Sequence, residues 1–243
     1  MTALLSIEKV TRRFGQKTAL DSVSLDVGKG EIVGLLGPSG SGKTTLLRLA
    51  GMLDTPTEGK VLFDGAPVDS EGDRDLATRR RIAMILQKPV VFRGSVLRNA
   101  TYGLRMRKVE EEESRRRALE ALKAVGLSDL AGRAASTLSG GEVQRLAFAR
   151  AAVLGPELLL LDEFTANLDP ANIIMLEKAV RGFRDGGGTV VMVTHNLPQG
   201  KRLAGRVCLL LNGKLVESGP PQKFFDSPET NEAKEFLNGT MVW

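Results

Sequence analysis

One short segment of the chain combines the residue types that bind phosphate. It reads GPSGSGKTT and fits the pattern G-x-x-x-x-G-K-T. Glycines let successive backbone N–H groups converge on phosphate oxygens. We expect Lys43 to reach the β- and γ-phosphates of a nucleotide and Thr44 to offer its hydroxyl to Mg²⁺. The segment is therefore predicted to be a Walker A phosphate-binding loop, formed by Gly37, Pro38, Ser39, Gly40, Ser41, Gly42, Lys43, Thr44 and Thr45.

Two adjacent acidic residues end a run of four leucines in the segment LLLLDE. Neighbouring carboxylates repel each other, so a bound cation is the simplest reason to place them together. A phosphate-binding loop needs a carboxylate in the Mg²⁺ shell at the end of a nearby buried strand, and Asp162 fits that role. A group that orients or deprotonates the attacking water is also needed, and Glu163 is the candidate.

The elements that would position these residues are visible in the hydrophobic pattern. EIVGLLG, LLLLD and TVVMVTH are nearly continuous apolar runs, which is typical of parallel strands buried on both faces. The alternation of Val23, Leu25 and Val27 instead predicts an antiparallel sheet near the N-terminus. Residues 90–155 look mostly helical, with Ala118 and Leu122 on one buried stripe.

Composition narrows the class of protein. The 243 residues carry 34 basic and 29 acidic side chains, a net charge of +5. Such a mild excess is compatible with binding to nucleic acid or to an anionic membrane surface, but it is evidence for neither. The densest charge run, EEEESRRR, is expected to be a solvated helix face with pairs such as Glu112–Arg116. There is no apolar run of the roughly 20 residues that span a bilayer and no signal-like start, and the single cysteine, Cys208, favours a cytoplasmic address.

A third motif, LSGGE, stands upstream of LLLLDE. With the phosphate loop, this order of motifs resembles the ATP-binding subunits of ABC transporters, from about residue 4 to residue 226. The resemblance implies an α/β P-loop ATPase core with a mostly parallel sheet, an antiparallel β subdomain near the N-terminus, and a helical subdomain inserted at about 88–155. Residues 227–243 would form a C-terminal tail.

The resemblance also implies roles for residues outside the first two motifs. Phe14 would stack on adenine, and Gln87 would contact Mg²⁺ and the attacking water. His195, the only histidine, would contact the γ-phosphate. The segment ANLD, residues 166–169, matches the D-loop of the family. The γ-phosphate of a nucleotide held by a second copy of the chain would be bound by Ser139, Gly140 and Gly141.

Physical chemistry supports an anion site at LSGGE. Ser139 can cap a helix that begins near Glu142, which leaves N–H groups and a positive helix end facing a ligand. Two residues depart from the family pattern. Phe164 replaces the proline that usually follows the catalytic glutamate, and Asn167 replaces a more usual alanine in the D-loop. Neither change removes a catalytic group, so hydrolysis of ATP with Mg²⁺ is still expected.

The resemblance implies a homodimer of ATPase subunits on the cytoplasmic face of the membrane. It would act with transmembrane permease subunits and an extracytoplasmic solute-binding protein. The segment Lys88–Leu104 is expected to divide its apolar residues between the core and a groove for the permease. The longer segment QKPVVFRGSVLRNATYGLRMR, residues 87–107, looks most like that of bacterial tungstate and related oxyanion importers, and somewhat like those of phosphate and polar amino-acid importers.

Three alternatives stay open to different degrees. The chain has no N-K-x-D motif for reading guanine, which argues against a switch GTPase. A soluble ABC ATPase acting on DNA or ribosomes usually has two cassettes or a long coiled-coil insertion, and neither is present. An exporter subunit is the alternative that the sequence separates least well.

Overall fold

The computed structural model describes residues 3–68 and 73–240, which form two sheets with helices around them. The first sheet is antiparallel and has the strand order β2-β1-β4-β5. Val23, Leu25 and Val27 are buried on one face of β2, as their alternation predicts. The strands of this sheet are β1 (Ala3–Phe14), β2 (Lys17–Gly28), β4 (Glu58–Phe63) and β5 (Ala66–Pro67).

The second sheet has six strands in the order β10-β9-β3-β8-β7-β6. Only β10 runs antiparallel to its neighbour, and the other pairs are parallel. All residues of β3, β7 and β8 are buried, so the three apolar runs are confirmed as central parallel strands. The strands are β3 (Ile32–Leu36), β6 (Ile82–Ile85), β7 (Leu158–Asp162), β8 (Thr189–Val193), β9 (Arg206–Leu211) and β10 (Lys214–Gly219).

Helices cover the second sheet and connect its strands. Because β9, β3, β8, β7 and β6 pair in parallel, their carboxyl ends lie at one edge of the sheet. The segment 227–240 contains α9, whose Ala233 is buried against the sheet. The helices around the sheet are α1 (Lys43–Ala50), α2 (Asp73–Arg79), α6 (Pro170–Asp185), α7 (Leu197–Leu203), α8 (Pro221–Asp226) and α9 (Asn231–Asn238).

A helical unit interrupts the sheet between β6 and β7. It comprises α3 (Val96–Met106), α4 (Glu111–Ala124) and α5 (Gly140–Ala152), with short 3₁₀ turns between α4 and α5. Ala118 and Leu122 are buried in the core that these helices share. No helix within residues 3–68 and 73–240 is both long and apolar enough to cross a membrane.

Some details differ from the sequence-based expectations. Strand β6 was not predicted, because its four residues lie between helical segments and are too few for a periodicity to show. Arg116 does not pair with Glu112. Its guanidinium instead reaches Glu113 and Glu120, both at 2.8 Å, since these carboxylates flank it on the same helix face. The run is nevertheless a largely exposed helix face, and Cys208 is fully buried.

Candidate functional site

The carboxyl ends of four neighbouring strands bring the predicted site residues together. The phosphate loop follows β3, His195 follows β8, and Gln87 follows β6. Asp162 is the last residue of β7 and pairs in register with Val193 of β8. Because β3, β8, β7 and β6 are adjacent and parallel, all four groups lie along one edge of the sheet. This is where ligands bind in open α/β sheets.

The phosphate loop is shaped by its glycines and closed by its lysine. Gly42 has φ +105°, and a Cβ there would lie 2.5 Å from the carbonyl oxygen of Ala19, so only glycine fits before α1. The buried Lys43 ammonium donates hydrogen bonds to the carbonyl oxygens of Gly37 (2.8 Å) and Pro38 (2.6 Å). These bonds hold a positive charge at the start of a helix, where N–H groups already favour an anion.

Burial lowers the pKa of Lys43, whereas the nearby carboxylates of Glu163 and Asp162 act in the opposite direction. The ammonium is therefore poorly solvated and satisfied mainly by neutral carbonyl groups. A phosphate oxygen would be a stronger partner than these carbonyls, since hydrogen bonds between charged groups are shorter and about twice as strong. The loop is thus organised to receive an anion.

Thr44 and Asp162 form the pair expected to hold Mg²⁺. The Thr44 hydroxyl lies 3.3 Å and 3.2 Å from Oδ1 and Oδ2 of Asp162. Burial raises the pKa of Asp162, and the neighbouring charge of Glu163 adds to this increase. A divalent cation would relieve both effects by stabilising the ionised carboxylate.

The donor set fits Mg²⁺ better than a softer metal. It offers a carboxylate, a hydroxyl and the amide of Gln87, all hard oxygen ligands. The described residues contain no group of three His, Cys, Asp or Glu side chains that could enclose a metal ion. That composition suits Mg²⁺, which usually binds through one or two carboxylates together with substrate phosphates and water.

Glu163 is held between two other predicted site residues. Gln87 Nε2 donates to its Oε2 at 2.9 Å, and His195 Nδ1 lies 3.4 Å from its Oε1. Its backbone is in the left-handed region, with φ +44°, and its N–H donates to the carbonyl of Val193. Such a conformation is uncommon for a residue with a side chain and costs free energy that the surrounding structure has to offset. The strained turn directs the carboxylate towards the edge of the sheet where the phosphate loop begins.

A cleft of about 400 Å³ lies above the phosphate loop. Lys43, Thr44 and Glu163 line it, and Phe14 stands at its side with half of its surface exposed. The guanidinium of Arg12 lies 4.6 Å from the centre of the Phe14 ring. The sequence analysis did not identify Lys17 and Ala19, which also line the cleft. The only feature of the sequence that could have indicated Lys17 is its basic side chain, three positions after Phe14.

The LSGGE segment lies apart from this cleft, since Ser139, Gly140 and Gly141 are not among the residues that line it. Ser139 caps α5 as predicted, and Glu142 completes a capping box with it. The helix begins at Gly140, two residues before Glu142, because the residue that follows the N-cap Ser139 is the first residue of the helix. A Cβ on Gly141 would lie 2.4 Å from the Asn172 side chain of α6, so a larger residue at this position would force that side chain to move.

The two departures from the family pattern have clear structural settings. Phe164 is 1% exposed and packs in the core that the helical unit shares with the sheet. Asn167 has φ +60°, a conformation that asparagine adopts more readily than alanine. Both residues therefore suit the turn in which they occur.

Comparison with known proteins decides the family. Residues 20–166 match the family model described as ABC transporter. This chain belongs to the ABC transporter family. A phosphate import ATP-binding protein of Natronomonas pharaonis is 43% identical, over 98% of this chain and 88% of that protein. A probable anion import ATP-binding protein of Haloferax volcanii is 40% identical, again over 98% and 88%. Other relatives are named for import of sulfate, methionine or cystine.

The fold agrees with that of a solved ABC protein. A dimeric ATP-binding cassette in a post-hydrolysis state, bound to ADP and phosphate, has a TM-score of 0.81 and 32% identity. The match covers 89% of this chain and 98% of that one. As an ABC ATP-binding subunit, the chain is an ATPase.

Proposed function

We propose that this chain is the ATP-hydrolysing subunit of an importer for a small oxyanion, working on the cytoplasmic face of the membrane. The observation that carries the catalytic part is the placement of Glu163 between Gln87 and His195, beside the phosphate loop. Phosphoryl transfer to water needs a base, a group that contacts the γ-phosphate and a phosphate-binding lysine close together. Glu163, His195 and Lys43 would supply these at the ends of adjacent strands.

Each residue is assigned a role in hydrolysis. Lys43 and the loop N–H groups bind the β- and γ-phosphates, while Phe14 stacks on the adenine. Thr44, Asp162 and the Gln87 amide oxygen would hold Mg²⁺, which would neutralise phosphate charge. Glu163 accepts a proton from the attacking water through one carboxylate oxygen. Gln87 donates to the other oxygen, Oε2, and so orients the carboxylate and the water that it binds. His195 contacts the γ-phosphate and stabilises charge in the transition state.

Two copies of the chain are proposed to share each nucleotide. Ser139, Gly140 and Gly141 offer the N-terminus of the 13-residue helix α5, yet they do not line the cleft of their own chain. They are free to complete the site of a second copy, where the helix end would face the γ-phosphate. ATP binding would then close the dimer, and hydrolysis would open it.

An apolar groove beside Gln87 is proposed to receive the permease. The groove has a volume of about 390 Å³ and lies between β6, α3 and α5. Val90, on the rim of the groove, is 67% exposed. The rings of Phe92 and Tyr102 form part of the groove wall, with their centres 4.4 Å apart. Exposed apolar surface of this kind marks a contact with another protein. A cytoplasmic helix of a transmembrane subunit would fit here and would sense the position of Gln87.

The cargo is proposed from relatedness. Tungstate is the cargo suggested by the sequence of the segment after Gln87, and phosphate is the alternative favoured by the relative with 43% identity. Both are tetrahedral oxyanions. Polar amino acids are a second candidate class, because a cystine import protein is 35% identical over 97% of this chain.

Purification of the tagged chain from gently solubilised native membranes tests this proposal. We expect a polytopic permease and an extracytoplasmic solute-binding protein to co-purify. The binding protein would then be titrated with tungstate, molybdate, phosphate and polar amino acids. A permease without a binding protein would indicate export, and ribosomes or DNA without any membrane protein would contradict the role in transport.

A further inference from the structure

A chain of buried polar side chains lies directly behind the catalytic edge of the sheet. It consists of the buried residues Thr165, Gln199 and Glu177 and of Arg202, whose side chain is 48% exposed, and we name it the buried polar chain. Thr165 is 7% exposed, Gln199 0% and Glu177 5%. Gln199 Nε2 donates to Thr165 Oγ1 at 2.9 Å and to Glu177 Oε1 at 3.4 Å. Arg202 completes the chain, since its Nη2 and Nε reach the two oxygens of Glu177 at 2.6 Å and 3.3 Å.

Stability alone is a poor reason for these residues to be there. Burying an amide or a carboxylate costs free energy unless every polar atom finds a partner. An ion pair with one partner half exposed, as Arg202 is, contributes little to stability. None of the roles assigned above uses these four residues, so their placement needs another explanation.

The buried polar chain connects the two segments that carry Glu163 and His195. Thr165 lies in the turn that Glu163 begins, where the N–H of Ala166 donates to the Glu163 carbonyl at 2.9 Å. Gln199 lies in the first turn of α7, and its N–H is capped by Asn196, the residue after His195, at 3.0 Å. The Gln199 side chain is therefore a direct link between the turn after β7 and the helix after β8.

Glu177 fixes the direction of this link. An ionised carboxylate only accepts hydrogen bonds, so the Gln199 amide must turn its NH₂ group towards Glu177. The same amide faces the Thr165 hydroxyl with both of its polar atoms, since Nε2 donates to Oγ1 at 2.9 Å and Oε1 lies 3.2 Å from Oγ1 as an acceptor. Arg202 holds the Glu177 carboxylate in place by two hydrogen bonds. The Gln199 amide is therefore held between Glu177 and Thr165.

We infer that Gln199 is a positioning residue for ATP hydrolysis, which keeps the turn of Glu163 in register with the loop of His195. This inference rests on the catalytic roles proposed for those two residues. Nδ1 of His195 and Oε1 of Glu163 are 3.4 Å apart. A loss of the link would let the two loops shift independently, and displacements of about 1 Å can reduce rates strongly.

Steady-state kinetics on purified variants tests the inference. Gln199→Leu and Thr165→Val remove the hydrogen bonds at similar side-chain size, and Thr165→Ser retains the hydroxyl. We expect kcat to fall about tenfold in the first two variants, with the KM for ATP changed less than about twofold. Thr165→Ser should recover most of the rate. If both Gln199→Leu and Thr165→Val fold with the kcat of the native chain, the inference is wrong.

Thr189→Val is the matched control for Thr165→Val. Thr189 is also buried and its hydroxyl accepts a hydrogen bond from the Gly30 N–H, but it lies at the opposite end of β8 from His195. We expect this variant to lose stability and to retain its kcat. Should Gln199→Leu not fold, the comparison of Thr165→Val with Thr165→Ser and Thr189→Val decides the matter.

A double-mutant cycle separates the positioning role from the proposed catalytic roles. If Gln199 acts through His195, Gln199→Leu should lower kcat by a smaller factor in the His195→Ala background than in the native chain. Fully additive losses would contradict the inference. Normal turnover in Glu163→Gln and His195→Ala would instead show that the catalytic assignment is wrong. Loss of turnover in those two, without any effect of Gln199→Leu or Thr165→Val, would overturn only the positioning role.

Discussion

His195 Nδ1 lies 3.4 Å from Oε1 of Glu163, although the two side chains come from loops after different strands. Parallel pairing of β7 with β8 produces this contact, because Asp162 stands opposite Val193 in the register. The His195 ring is 66% exposed, which leaves it open to a nucleotide. The contact therefore joins the proposed base to the proposed γ-phosphate contact.

Replacement of His195 tests the second half of this arrangement. We expect His195→Ala to lower kcat by about 100-fold, which is typical of losing one donor to transition-state charge. ATP binding and the circular dichroism spectrum should change little, because the exposed ring contributes little to packing. ATP turnover within a fewfold of that of the native chain would remove His195 from the mechanism.

Lys43 is expected to control nucleotide affinity. Its removal deletes a buried cation that would bond to phosphate, so Lys43→Ala should weaken ATP binding at least about tenfold and abolish turnover. Fluorescence titration with a labelled nucleotide and a phosphate-release assay would measure both. Lys60→Ala is the control, since that exposed lysine pairs with Glu8 on the antiparallel sheet. Unchanged turnover in Lys43→Ala would refute the role of the loop.

Asp162 should reduce the stability of the metal-free protein at neutral pH. Its pKa is raised above the ordinary value by burial, so the folded state binds this proton more tightly than the unfolded state. The stability that this tighter proton binding contributes is present at low pH and is lost as the pH rises through the folded-state pKa. Asp162→Asn is therefore expected to be more stable than the native chain at pH 7, although inactive.

The pH dependence provides the check on this prediction. Urea unfolding in the presence of a chelator would give the free energy of unfolding of both proteins between pH 7 and pH 4. The difference should shrink as the pH falls through the raised pKa, because protonation then neutralises Asp162 as the amide does. A difference that is absent at pH 7, or one that grows towards pH 4, would contradict the assignment.

The apolar groove should be needed for assembly but not for nucleotide binding. Val90→Asp places a charge on a residue that is 67% exposed, so the isolated chain should fold normally and bind ATP. The variant should no longer co-purify with the permease, because a charge would be buried without a partner. Leu53→Asp is the control, since that residue is 55% exposed outside the groove. Normal recovery of the permease with Val90→Asp would place the contact elsewhere.

The sequence predicted the parts of the site that depend on local order along the chain. The phosphate loop, the two acids at the end of β7 and the histidine after β8 each follow a buried apolar run, so strand ends could be located from the sequence. The parallel pairing of those strands then brought the residues together. The cap at Ser139 was likewise predictable, since capping depends on four consecutive residues.

Other features depend on packing that no local pattern reveals. Glu177 looks like one more polar position on the amphipathic helix α6, yet it is almost fully buried and paired with Arg202. Gln199 lies in a polar stretch that looks exposed, and it has no accessible surface. Strand β6 is only four residues long. These three features become visible only when distant segments are brought into contact.

Replacement of Glu163 by glutamine tests the central claim most directly. The amide keeps the size and the hydrogen bond to Gln87 but cannot accept the proton of the attacking water. We predict that Glu163→Gln binds Mg²⁺ and ATP, hydrolyses ATP at least about 100-fold more slowly, and accumulates as an ATP-bound dimer in analytical ultracentrifugation. Hydrolysis at the rate of the native chain would contradict the account, because another group would then have to act as the base.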